Sequence, residues 1–286
     1  MKRKIGFMPN GSYNSMSAEE VCKSLKRIGY DCVEWTQTFA SPRQKSVKEL
    51  KELVRISQDN GLEISEIVVQ QDLVLKDEQK RKDNIAYILE CIRAYSEAGI
   101  DTINLFTGPI PWIDNPLKVG KDISEGEAWG MVFSAFDEIL PVAEESGMNL
   151  AVENVWGMLC RDFFTNRYLI DHYKSPYLGV NYDPSHDILA GHLDVGWIIE
   201  NWGKNIKHVH LKDAVGIQED RKFIFPLPGE GNVDWKSFHS ALDRAGYKGP
   251  MSVEFESFVY VAKVLNGDWE KAAELSLNNF RLLFDY

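Results

Sequence analysis

The stretch Ser146-Gly147-Met148-Asn149-Leu150-Ala151-Val152-Glu153-Asn154 reads as a helix end, a glycine, an apolar strand and a closing carboxylate. A glycine just past a helix caps it in the left-handed conformation without steric cost. The phrase recurs as Ile28-Gly29-Tyr30-Asp31-Cys32-Val33-Glu34, Asn60-Gly61-Leu62-Glu63-Ile64 and Ala98-Gly99-Ile100-Asp101-Thr102-Ile103-Asn104, and again as Ala245-Gly246-Tyr247. Gly29, Gly61, Gly99 and Gly147 stand 32, 38 and 48 residues apart, and Gly246 follows 99 residues later, room for three more units. A helix-plus-strand unit of that size is a βα repeat.

Working outward, strands are predicted near residues 4–8, 31–35, 63–69, 101–106, 149–153, 178–183, 206–211 and 250–254. The clearest helices are 17–28, 47–60, 83–98, 127–146, 235–245 and 269–284. Runs such as Ile64-Ser65-Glu66-Ile67-Val68-Val69 suit parallel strands covered on both faces. Eight such units predict an α/β chain forming one (β/α)8 TIM barrel over residues 1–286. A doubly wound open sheet is the alternative; no GxGxxG follows the first strand. Helix-to-strand turns take two or three residues, whereas Thr107 to Ser124 and Lys212 to Asp234 are long. Long loops at one end of a barrel mark its working face.

Composition narrows the function. With 32 Lys and Arg against 43 Asp and Glu, the net charge is −11, which disfavours a nucleic-acid partner. No apolar run approaches a membrane span, and Ile5 to Met8 is too short for a secretory leader. Cys22, Cys32, Cys91 and Cys160 lie far apart without a CxxC, as expected of thiols in a reducing, cytoplasmic compartment.

Four successive predicted strands end in metal-competent side chains: Leu150-Ala151-Val152-Glu153-Asn154, Gly179-Val180-Asn181-Tyr182-Asp183-Pro184-Ser185-His186, His208-Val209-His210-Leu211-Lys212-Asp213 and Met251-Ser252-Val253-Glu254-Phe255-Glu256. A charge closing an apolar parallel strand is costly to desolvate unless it is paired or metal-bound. A lone carboxylate there is most often a helix N-cap, but four on adjacent strands converge at one rim. Glu153, Asp183, His210 and Glu254 would offer three carboxylates and an imidazole, a set suited to Mn²⁺ or Mg²⁺, with Co²⁺ or Zn²⁺ as alternatives. His208 and His210 are expected to face opposite ways, one to the barrel interior and one to the helices. His210 is chosen because it lies nearer the strand's C-terminal end. Glu254 closes its strand, and Glu256 is expected beside the ligands or in solvent.

These four motifs, together with Pro228-Gly229-Glu230-Gly231-Asn232-Val233-Asp234-Trp235, resemble the xylose-isomerase-like barrel superfamily. Within it they are most similar to the sugar phosphate isomerase/epimerase group, which includes ketose 3-epimerases, inosose dehydratases and endonuclease IV. The second half of the chain carries the resemblance, the first half only by layout. It implies one divalent ion on Glu153, Asp183, His210 and Glu254, and a substrate or metal contact from His186. Endonuclease IV needs further histidines early in the barrel, and none precedes His172 here. Ketose 3-epimerases carry an arginine shortly after the strand-seven histidine; the six residues after His210 hold only Lys212, and Arg221 comes later.

The expected activity is a metal-dependent isomerisation or epimerisation of a small carbohydrate. Glu153 and Glu254 would move a proton next to a carbonyl through an enediolate. His186 and Lys212 would bind hydroxyls, and Trp112 and Trp156 would wall the sugar. A dehydratase acting on a keto-sugar or keto-inositol shares the first step and stays open, as do phosphorylation of the substrate and self-association through exposed helices.

Overall fold

The computed structural model describes residues 2–218 and 222–285. Eight strands close a parallel barrel: β1 (Ile5–Phe7), β2 (Cys32–Trp35), β3 (Glu63–Val68), β4 (Thr102–Leu105), β5 (Asn149–Glu153), β6 (Leu178–Tyr182), β7 (Ile206–Leu211) and, last in the chain, β10 (Met251–Val253). Each pairs with its predecessor, and β10 lies between β7 and β1. The register Ile5↔Met251, Gly6↔Ser252 and Phe7↔Val253 seals the ring, which rules out the open sheet. A two-stranded antiparallel sheet, β8 (Val215–Ile217) with β9 (Lys222–Ile224), rises from the loop after β7.

The recurring glycines behave as read: Gly29, Gly99 and Gly147 end their helices at φ 110°, 86° and 67°. Those helices are α1 (Ala18–Ile28), α4 (Glu78–Ala98) and α5 (Glu125–Ser146). Reciprocal caps start several helices: Ser17 with Glu20 on α1, Ser46 with Glu49 on α3 (Val47–Asp59), and Ser124 with Glu127 on α5. Short α2 (Gln37–Ala40) follows β2. Helix-to-strand turns are two or three residues through β5 and lengthen later, to 174–177 before β6 and 245–250 before β10.

The strands divide their faces by alternation. Ile103, Leu105, Leu150, Val152, Val180, Val209 and Leu211 belong to the main apolar core with the surrounding helices. The alternate residues Asn104, Glu153, Asn181, His208 and His210 bond to one another or to other buried polar groups in the lumen. The upper barrel is therefore filled with polar groups, and that arrangement creates the site. Among the described residues, no helix is long and apolar enough to cross a membrane. All four cysteines are buried and free.

Candidate active site at the barrel mouth

Glu153 is the last residue of β5, and its neighbour Asn154 reaches across to β6. Asn154 Nδ2 donates to the Asp183 carbonyl at 2.8 Å, and its Oδ1 accepts from the Asp183 N–H at 2.9 Å. Asp183 is also the N-cap of α7 (Pro184–Leu189), its Oδ1 accepting from Ser185 N at 2.8 Å. Capping therefore uses one oxygen only. The other, Oδ2, accepts no hydrogen bond and stands 3.0 Å from Lys212 Nζ and 3.5 Å from His186 Nε2. The cap and ligand readings of this aspartate are both compatible with the geometry.

His210, at 0 % exposure, is the hub. Its Nδ1 lies 3.1 Å from Glu153 Oε1 and 3.3 Å from Glu254 Oε2. Its Nε2 lies 3.0 Å from Glu34 Oε1 and 3.5 Å from Glu66 Oε1. Burial alone would lower the pKa of this imidazole, but Glu34, Glu153 and Glu254 raise it well above the ordinary value. His208 also faces the lumen, bonded to Ser252 Oγ at 3.0 Å and 3.3 Å from Glu34 Oε2. The expectation that the two histidines face opposite ways is therefore wrong. Residues two apart share a face of a pleated strand.

Lys212 is buried among acids. Its Nζ contacts Glu254 Oε2, lies 2.9 Å from Glu256 Oε2, and donates to His186 Nε2 at 3.2 Å. Burial would lower its pKa, yet Asp183, Glu254 and Glu256 raise it well above the lysine range. The His186 imidazole is pushed well below its ordinary value by burial and by that ammonium. Burial raises the Asp183 carboxyl to about 6, whereas Lys212 and His210 outweigh burial at Glu254 and lower it. Glu256 thus sits beside the carboxylate cluster, half of the expectation made for it.

One group, Glu153, Asp183, His186 and Glu254, brings a donor atom from each within 4.8 Å of the others. Deeper in the lumen Glu34, Glu66, His208 and His210 form a second such group. The donors fit a hard divalent ion. Three carboxylates and an imidazole, His186 through its Nε2, converge, and Asp183 Oδ2 is buried without a hydrogen-bond partner. His210, the imidazole expected among the ligands, falls in the deeper group, and His186 takes its place in the upper one; of the upper carboxylates, Glu153 and Glu254 lie beside His210, 3.1 and 3.3 Å from its Nδ1. Trp112 and Trp156 lie together at the rim, ring centres 6.2 Å apart, with Trp112 52 % exposed. Arg221 lies outside the described residues.

Sequence reasoning missed Glu34 and Glu66. The signal was present, because Cys32-Val33-Glu34-Trp35 is an apolar strand interrupted by an acid, the same pattern read on the later strands.

The fold and this mouth define a class: α/β barrels that gather carboxylates and imidazoles at the C-terminal ends of their strands. The family model of the xylose isomerase-like TIM barrel matches residues 22–282, and the chain belongs to that family. A curated inosose dehydratase of Geobacillus thermodenitrificans is 28 % identical over 159 residues, 50 % of this chain and 52 % of that protein. The match thus spans about half the length of that relative. Among solved structures, the IOLI protein with a bound zinc atom superposes with TM-score 0.77 at 18 % identity, covering 99 % of this chain and 98 % of that one. A D-psicose 3-epimerase crystallised in the presence of D-fructose superposes with TM-score 0.76 at 16 % identity, covering 99 % and 100 %. The fold is that of the sugar epimerases and isomerases.

Proposed function

We propose that this chain is a divalent-metal-dependent isomerase or epimerase of a small sugar. Glu153, Asp183, His210 and Glu254 would hold the ion, with His186 beside it. The observation that carries the proposal is the flanking of one imidazole nitrogen, His210 Nδ1, by Glu153 from β5 and by Glu254 just beyond β10. Two carboxylates from different sides of the mouth thus face one small space. When bound, a divalent ion supplies Lewis acidity to a carbonyl and its neighbouring hydroxyl, which acidifies the adjacent C–H.

Within that space one of the two glutamates takes the proton from the carbon, and the C–H electrons move into the carbonyl to give an enediolate. The other glutamate returns a proton, to the opposite face for epimerisation or to the neighbouring carbon for isomerisation, in which case the hydroxyl proton passes to the former carbonyl oxygen. Mass is unchanged. Lys212 and His186 bind substrate hydroxyls, and Trp112 and Trp156 supply an apolar wall. Asn104 Nδ2 donates to Glu153 Oε2 at 2.9 Å and fixes that carboxylate's orientation. Mn²⁺ or Mg²⁺ suits the oxygen-rich donors best. The acidic chain and its buried free thiols support a cytoplasmic protein that does not bind nucleic acid.

The similarity to inosose dehydratases supports a second reading. After the same proton removal, the enediolate expels a β-hydroxyl, which leaves as water with the proton that the glutamate has taken. Incubating a panel of free ketoses and keto-inositols in deuterated water with the manganese-loaded protein separates the two. Label uptake without mass loss supports isomerisation, and loss of water supports the lyase. Full exchange activity in Glu153→Gln or Glu254→Gln would refute the assigned roles.

A further inference from the structure

Beside the mouth, β9 and helix α10 (Phe258–Lys263) border a groove of about 510 Å³. Its walls are chiefly Phe223, Ile224, Leu227, Phe258, Val259 and Val264. Ile224 is 62 % and Val259 76 % exposed. Clustered apolar surface of this kind usually marks a binding site, and the volume lies in the range of small-molecule pockets.

Two residues join the groove to the carboxylate site. Glu256 lines it and stands 2.9 Å from Lys212 Nζ. Phe225 lines it too; its ring centre is 4.8 Å from Lys212 Nζ, and its plane meets the His186 ring edge-on at 5.8 Å. A narrow crevice touching Lys212 and Glu254 shares Phe225, Pro226, Glu256 and Ser257 with the groove. Aromatic contacts then continue around the rim: Phe225 to Phe223 at 5.5 Å, Phe223 to Trp156 at 4.9 Å, and Trp156 to Trp112. The carboxylate cluster thus adjoins an aromatic-lined apolar groove.

We infer that the groove is a subsite for an aromatic aglycone, so that the substrate is an aryl glycoside whose sugar ring carries the ketone that the proposed reaction needs. Its sugar would lie against the carboxylates and its ring against Phe223, Phe258 and Val259. The inference rests on the function proposed above. A free monosaccharide carries oxygen on every carbon and has no large apolar group to place there. An aryl ring buries apolar area and offers edge-to-face contacts to the phenylalanines. The shared residues Phe225 and Glu256 favour a ligand that reaches from the groove toward Lys212 and Glu254 over a partner that covers the groove alone.

The test is calorimetric titration of the full, manganese-loaded chain with phenyl and methyl β-D-glucopyranoside. The phenyl glycoside is expected to bind at least about tenfold more tightly. Val259→Asp, at an exposed position, is expected to bring the two within threefold of each other, and Ile224→Lys repeats the test at the opposite wall. Equal affinities for the unaltered protein, or a preference that survives both substitutions, would overturn the subsite. So would a concentration-dependent dimer that Val259→Asp dissolves in a protein showing no aryl preference, which would assign the groove to a second copy. Proton exchange with free ketoses and with a phenyl glycoside carrying a ring ketone is measured separately. Exchange without aryl preference sinks the subsite alone; absence of both exchange and water loss with every candidate sugar sinks the parent proposal and the subsite with it.

Discussion

The side chain of Asn154 bonds both backbone groups of Asp183, N–H and C=O, across the β5–β6 seam. It fixes where the capped carboxylate of Asp183 projects without touching that carboxylate itself. Asn154→Ala removes both bonds from a buried location. It should cost about 1–3 kcal/mol of stability, because two buried polar groups lose their partner. Metal affinity should fall roughly 10–100-fold, as when groups that orient metal ligands are removed. Denaturant melts and manganese titration check the two effects separately, and unchanged manganese affinity would show that Asp183 is held by other contacts.

Glu34 holds His210 from below, as Asn154 holds Asp183 from the side. Its Oε1 lies 3.0 Å from Nε2, leaving Nδ1 turned toward Glu153 and Glu254. Glu34→Gln keeps the volume and removes the charge. We expect manganese affinity about 10–100-fold weaker with the fold retained. Affinity equal to that of the unaltered protein would mean that His210 needs no carboxylate to orient it.

How far this site could be read without coordinates depends on the kind of signal. Glu153, Asp183 and Glu254 stand out because a charge ends an apolar run, and the barrel brings such ends together. The repeat of capping glycines gives the βα count for the same reason: only a few backbone conformations can end a helix and begin a strand within three residues. Glu34 and Glu66 carry the same signal but lie inside their strands, so attention to strand ends passes over them. The sidedness of His208 and His210 is legible in their spacing, because residues two apart in a strand share a face. Hairpin β8–β9 has strands of only three residues in a proline-bearing loop, and so short a pairing leaves no periodicity. Whether Lys212 points inward among four polar partners is a matter of tertiary packing.

The loop from Pro228 to Trp235 is organised by Asp213. Its Oδ2 accepts from Gly229 N, Gly231 N and Trp235 Nε1, and its Oδ1 from Ala214 N and Val233 N, all between 2.9 and 3.1 Å. At Gly231 a Cβ would stand 2.1 Å from Asp213 Oδ1 and 2.8 Å from the Ala214 carbonyl, so the close approach requires glycine. Gly231→Ala and Asp213→Ala should each destabilise by about 2–4 kcal/mol, through a steric clash and through stranded buried donors respectively. Denaturant unfolding measures the loss, and limited proteolysis should locate new cleavage between 212 and 235. Resistance equal to that of the unaltered protein would show that the loop is held elsewhere.

Lys212 links stability to metal. Its ammonium is the one lysine charge among Asp183, Glu254 and Glu256 in the described structure. Lys212→Met preserves the aliphatic stem and leaves those carboxylates without their cation. Removing one partner of a buried ion pair typically costs about 3–5 kcal/mol. A divalent ion bound by Asp183 and Glu254 would supply positive charge to the same oxygens. The variant should therefore melt well below the unaltered protein in chelator and recover much of that difference in excess manganese. For the unaltered protein, manganese at about 100 times its dissociation constant adds only about 2.7 kcal/mol. Melting curves of both proteins, with chelator and with manganese, give the four values needed. A deficit that manganese leaves untouched would mean that the ion and the ammonium do not act on the same carboxylates, and Asp183 and Glu254 would lose their place as ligands.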